Sequence, residues 1–235
     1  MRIRIVAPLL LTIASLGLAP FAFAGGAVKG MWEGCKEGSW VLNKTTTKGS
    51  MTGGEAPDTV SEMRQTLVKV TDEAWTVKME MKVGDTWGEP MEVPYPRIAA
   101  KAAVDAKDAP KPEELGTEKV KVDGKDYDCK KTKQTEGKTS TISWVNEAEG
   151  LLKSETTGEL TMSMLVTTLA KKAKIGEKEV TCRETKILSK LAGFDSTLVQ
   201  LTSDDVPTRV VRQEMTLPLP AKSSTVQEMT GFEIK

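Results

Sequence analysis

The sequence predicts an all-β or mainly β antiparallel fold with one short helix, and three observations carry that expectation. Apolar and polar residues alternate with period two over much of the chain, and no long stretch keeps a helical apolar stripe. An Asp-Gly pair stands between two alternating segments, and the pattern around it returns 53 residues later.

In chain order, Arg2 and Arg4, the apolar run Ile5 to Leu18 and Ala22-Phe23-Ala24 form the three zones of a cleavable signal peptide, residues 1–24. A retained membrane anchor is the competing reading. The run is shorter than the ~20 residues that span a bilayer, and Pro8 and Pro20 interrupt it. The mature chain is therefore expected to be periplasmic or secreted, and not membrane-spanning after cleavage. One β-rich domain over 25–235 is expected, beginning with a meander over 36–96. In it, Trp75, Val77, Met79 and Met81 fall on one face of a strand and Thr76, Lys78, Glu80 and Lys82 on the other. The segment before it puts Val68 and Val70 on one face, and Asp72-Glu73 reads as the joining turn. A linker follows over 97–116, with a short helix over 98–107 ended by Pro110 and Pro112; it reads as a lobe boundary or lid, or as a plain connector.

Val120 to Cys129 is the clearest hairpin. Asp123-Gly124 matches a type I′ turn, which needs positive φ at both central positions, and a two-residue loop pairs Val122 with Lys125, Lys121 with Asp126 and Val120 with Tyr127. Residues 120–133 align without gaps on 173–186, with Gly176-Glu177 as a type II′ turn in the second copy. A further echo relates Gly150 to Glu155 with Arg209 to Glu214. Two copies, 117–170 and 171–235, are the reading; coincidence between low-diversity strands is the alternative. Between them, Leu160, Met162, Met164 and Val166 alternate with Thr161, Ser163, Leu165 and Thr167.

Composition narrows the chemistry. Without Arg2 and Arg4 the mature chain keeps 31 of its 33 basic residues against 33 acidic ones, so it offers no basic field for nucleic acid. There is no histidine, which removes Ser-His-Asp and Cys-His nucleophiles and His-ligated metal sites. No catalytic residue, metal site or cofactor is predicted, and the chain is read as a non-enzyme. Asp123, Asp126 and Asp128 do not match the calcium-loop spacing and read as solvated strand positions. Cys129 and Cys182 occupy the same place in the two copies. They are candidates for a disulfide if the copies pack as neighbours, or else for two buried free thiols, with Cys35 the odd one. Trp75, Met79, Met81, Trp144, Met162 and Met164 are the candidate lining of an apolar cavity, against the alternative that each simply fills the core.

The opening Gly38-Ser-Trp-Val41, the hairpin V-x-V-x-G-K-x-Y-x-C and the Trp144 to Glu155 segment resemble a group of uncharacterised exported bacterial β-proteins of planctomycete-like genomes. More remotely, the layout resembles periplasmic lipoprotein carriers of the LolA and LppX type. That resemblance implies a curved, half-barrel-like antiparallel sheet around an apolar cavity, and it transfers no functional residue. The function expected is extracytoplasmic binding of an apolar or amphipathic, lipid-like ligand; the alternative is a structural or protein-interaction module of the cell envelope.

Overall fold

A computed structural model describes residues 30–49, 57–97, 111–191, 194–217 and 223–235. The expected signal peptide and the expected helix over 98–107 lie outside them. Fourteen strands pair antiparallel in one curved sheet, half-barrel-like and not closed, and no helix occurs among the described residues. The chain first lays down β1 (Trp40–Lys48), β2 (Thr59–Val70) and β3 (Ala74–Val83), with β4 (Thr86–Trp87) and β5 (Met91–Pro96) both on the outer side of β3. It restarts at the opposite edge with β6 (Glu113–Val122), β7 (Lys125–Glu136), β8 (Thr139–Asn146) and β9 (Gly150–Thr157). It then returns through β10 (Leu160–Ile175), β11 (Lys178–Leu191), β12 (Phe194–Thr202) and β13 (Val210–Leu217) to β14 (Ser223–Glu233), which pairs with β1.

The bend has a local origin in the register. Six strands carry an extra residue: Val68 in β2, Thr230 in β14, Val211 in β13, Leu152 in β9, Leu115 in β6, and the stretch between Val166 and Lys171 in β10. Each bulge sharpens strand twist and re-aims the side chains beyond it. Two apolar clusters form the core. One gathers Trp32, Val41, Leu67, Trp75, Val77, Ile175, Val180, Cys182 and Met229 among others; the second gathers Val120, Val122, Cys129, Trp144, Leu152 and Val166.

Both hairpins have the expected register. Val122 pairs with Lys125 and Val120 with Tyr127, while Ile175 pairs with Lys178 and Ala173 with Val180. Asp123 and Gly124 hold φ of 51° and 77°, and Gly176 holds 60°. The Asp123 carboxylate also accepts from the Leu169 amide of β10 at 3.1 Å, fastening the first turn to the sheet. Two expectations change. In β2 the fully buried residue is Leu67, because the bulge at Val68 breaks the parity that grouped Val68 with Val70. The Cys129–Cys182 bridge is not formed: all three cysteines are free. Cys129 on β7 and Cys182 on β11 lie four strands apart, roughly 19 Å along the sheet, whereas a disulfide needs Cα atoms within about 7 Å.

Candidate ligand face

Cross-strand partners in a β-sheet share a face, so the register assigns every side chain in an unbulged row to one side or the other. One row runs Thr47, Thr225, Met215, Leu198, Ile187, Met164, Ser154, Ser143, Thr132. The next runs Ser61, Thr45, Gln227, Gln213, Gln200, Thr185, Val166. On the other flank, Met162 lies between Ser189 and Thr156, with Thr141 beyond. No side chain in these rows is charged. They are apolar, hydroxyl or amide, and all are buried or half-buried.

Four pairs of polar groups on this face bond to one another sideways. Gln213 Nε2 donates to Gln227 Oε1 at 2.6 Å, and the hydroxyls of Ser189 and Ser196, Thr141 and Thr156, and Thr47 and Thr225 pair at 2.6, 3.1 and 3.3 Å. Satisfied laterally, hydroxyls and amides leave the face cheap to desolvate. Arg183, one row nearer the packed end, is spent on structure. Its guanidinium donates to the carbonyls of Glu149 at 2.8 Å and of Leu151, tying the β8–β9 turn to β11, and burial lowers its pKa.

The opposite face is laced with charge. Lys82, Glu62, Lys44, Glu228 and Arg212 follow one another along a row with signs mostly alternating. Lys153 and Glu155, Arg212 and Glu214, and Lys82 and Glu62 form ion pairs at 2.8, 3.2 and 3.8 Å. Exposed pairs of this kind contribute ~0–1 kcal/mol each, so their weight lies in marking the solvent side. The Glu118 carboxyl is held below the usual carboxylate range, first of all by the hydrogen bond that Lys131 Nζ donates at 2.8 Å.

The six residues expected to line a cavity do not come together. Met162 and Met164 lie on the uncharged face, the first buried and the second half-buried. Trp144 lies on the other side, buried beneath the ammonium groups of Lys153 and Lys131, at 4.2 and 4.9 Å from its ring. Trp75 is core: a Cβ on Gly30 would stand 2.2 Å from Trp75 Cη2, and the Arg97 guanidinium lies 5.3 Å from the indole ring. Met79 and Met81 stand on β3, seven strands from β10, with Met81 51% exposed. Sequence reasoning missed Ile187, Leu198 and Met215. Their signal was present in part, since Thr185, Ile187 and Ser189 are uncharged while the alternate positions Glu184, Lys186 and Lys190 are charged, Leu188 being the exception. An open groove of about 610 Å³ at the β6–β8 edge adjoins the end of the first row at Thr132; Pro112 and Val145 line it together with the charged Glu114, Asp128, Lys130 and Glu147.

No family model matches the chain, and no curated protein matches it. Among solved structures it is similar to an outer membrane lipoprotein-sorting protein domain from Vibrio parahaemolyticus (14% identity, 85% of this chain and 86% of that one, TM-score 0.33). It is also similar to a LolA superfamily protein from Nitrosomonas europaea (10% identity, 85% and 86%, TM-score 0.33). A third is a DUF1329 family protein from Desulfovibrio piger (12%, 85% and 86%, TM-score 0.30). The first two are of the class the sequence resembles. At these scores the likeness carries no argument, and the fold assignment rests on the chain's own strand pairing.

Proposed function

We propose that this is a non-enzymatic extracytoplasmic binding protein, periplasmic or secreted, that takes up an apolar or amphipathic ligand on the uncharged face of its curved sheet. One observation carries the reading: the row Met215, Leu198, Ile187, Met164 and its neighbours is free of charge while the opposite face is laced with it. A face that met only water would gain nothing from excluding Lys and Glu, which keep sheets soluble. A face that meets hydrocarbon must exclude them, because an unpaired charge there costs several kcal/mol. Residues 25–235 act as one unit in this reading. The alternative is a structural or protein-interaction module of the cell envelope, favoured by the filling of Trp75 and Trp144 into packed clusters.

The test is displacement of an environment-sensitive fluorescent fatty acid, with Met164→Asp and Leu198→Asp as variants. Wild-type protein should raise the probe's emission and both variants should lose at least ten-fold in affinity. If the wild type shifts no probe and carries no extractable lipid, the carrier reading falls and the interaction module takes its place.

A further inference from the structure

Four of the chain's eleven methionines stand together on the β2, β3 and β5 edge of the sheet. Met63 and Met81 are direct cross-strand partners, Met79 and Met91 are direct partners, and Met79 and Met81 are two residues apart on one strand. By the register all four side chains rise from the same face. Partners of this kind have Cβ atoms ~4.5–5.5 Å apart, and three rotatable bonds let each thioether swing toward its neighbours.

Their setting is unusual for apolar side chains. Met91 is 60% exposed and Met81 51%, while Met63 and Met79 are half-buried. Exposed apolar side chains near a sheet edge are a liability for edge-to-edge association, normally blunted with charge. The charge on β3 points the other way, with Lys78 and Glu80 paired at 3.2 Å on the opposite face. One of the four also has a neighbour on the same face, since the Tyr95 hydroxyl donates to Met79 Sδ at 3.6 Å. A thioether sulfur has two lone pairs, so this contact leaves the second available to a metal.

We propose that Met63, Met79, Met81 and Met91 form a thioether site for Cu(I). Neutral, soft sulfur donors in a set of three or four select Cu(I) among the common biological metals, whereas the oxygen-preferring divalent ions have nothing there to bind. The site is separate from the uncharged row around Met164, lying seven strands away in the sheet.

The experiment is an anaerobic titration of the mature protein with Cu(I) in the presence of bicinchoninate, whose coloured Cu(I) complex reports the metal withdrawn. Cys35 is alkylated beforehand, because a half-buried thiol is also a soft ligand. Wild type should withdraw one equivalent. Met81→Leu/Met91→Leu should lose at least ten-fold in apparent affinity, while Met162→Leu/Met164→Leu should match wild type. Leucine keeps the apolar bulk, so a thermal melt close to wild type and unaltered fatty-acid probe binding show that thioether donors alone were removed. Absence of withdrawal by wild type, or retention of it by Met81→Leu/Met91→Leu, overturns the proposal without touching the carrier reading.

Discussion

Gln213 and Gln227 are direct partners on β13 and β14, and the amide of the first donates to the carbonyl oxygen of the second at 2.6 Å. The pair sits in the uncharged row, half-buried, beside Gln200 and Thr45. Gln213→Glu keeps the length but sets a carboxylate against the Gln227 carbonyl oxygen or forces the amide to flip. It should destabilise by about 1–3 kcal/mol and weaken fatty-acid probe binding. Gln213→Leu removes one hydrogen bond and adds apolar area, so a loss of about 1 kcal/mol or less with probe binding intact is expected. Urea unfolding of the two variants checks this, and equal losses would mean that charge on this face is immaterial.

The N-terminal segment is seated by the smallness of Gly30. A Cβ there would lie 2.2 Å from Trp75 Cη2 and 2.9 Å from Cζ3, with the indole already held by the core and by Arg97. Gly30→Ala should therefore push the Gly30 to Cys35 turn off the cluster that Trp32 helps to close, costing about 1–3 kcal/mol. At roughly 2–4 °C per kcal/mol for a chain of this size, thermal melting resolves that loss. Gly88→Ala, whose Cβ would meet Met81 O at an ordinary 3.4 Å, serves as the near-silent comparison.

The parts of this fold that the sequence made legible are those governed by local chemistry. Asp123-Gly124 fixes its own turn and hence the register of β6 against β7, and Trp75, Val77, Met79 and Met81 share a face because nothing interrupts β3. What stayed hidden depends on bulges and on pairing between distant strands. Val68 looks like Val70's companion until the extra residue is placed, and Trp144 groups with Met162 and Met164 until Lys153 is seen to pair with both Trp144 and Leu165. Parity within a strand is readable, but parity between strands needs the register. The uncharged row was thus present as fragments that no local rule could join.

The cysteines give a chemical test of the same architecture. Burial raises the pKa of Cys35, with Glu33 adding to it, and burial is also the leading cause of the upward shifts of Cys129 and Cys182. Folding thus favours the neutral thiols. Their contribution to stability is present below the ordinary thiol range and declines as the pH rises through it toward the raised values. Three thiols should react with Ellman's reagent in denaturant. In native protein at pH 8, only Cys35 should react, and more slowly than a free thiol; rapid reaction of Cys129 or Cys182 would contradict the packing of both clusters.

The last prediction concerns the repeat. We read β6 to β9 and β10 to β13 as two copies of one four-stranded unit, which moves the boundary from 170/171, inside β10, to the β9–β10 turn. Supporting this, the hairpin turns correspond, and each unit's fourth strand opens on a left-handed residue, Gly150 with φ of 71° as the first residue of β9 and Arg209 with φ of 62° just before β13. Tyr127 and Val180 lie on the same side by the register linking Lys131, Trp144, Lys153, Leu165 and Lys186. Gly124 and Gly176 have no side-chain neighbour within 4 Å of a built Cβ, so a substitution there registers backbone strain and little else. Gly124→Val and Gly176→Val should each cost about 1 kcal/mol or more, because a β-branched residue is forced into the left-handed region. The two turns serve different apolar clusters, so the double variant should lose the sum of the single losses within ~0.5 kcal/mol. A double variant that departs from additivity by 1 kcal/mol or more, or a Gly176→Val that costs nothing, would show that the second turn is not the counterpart of the first.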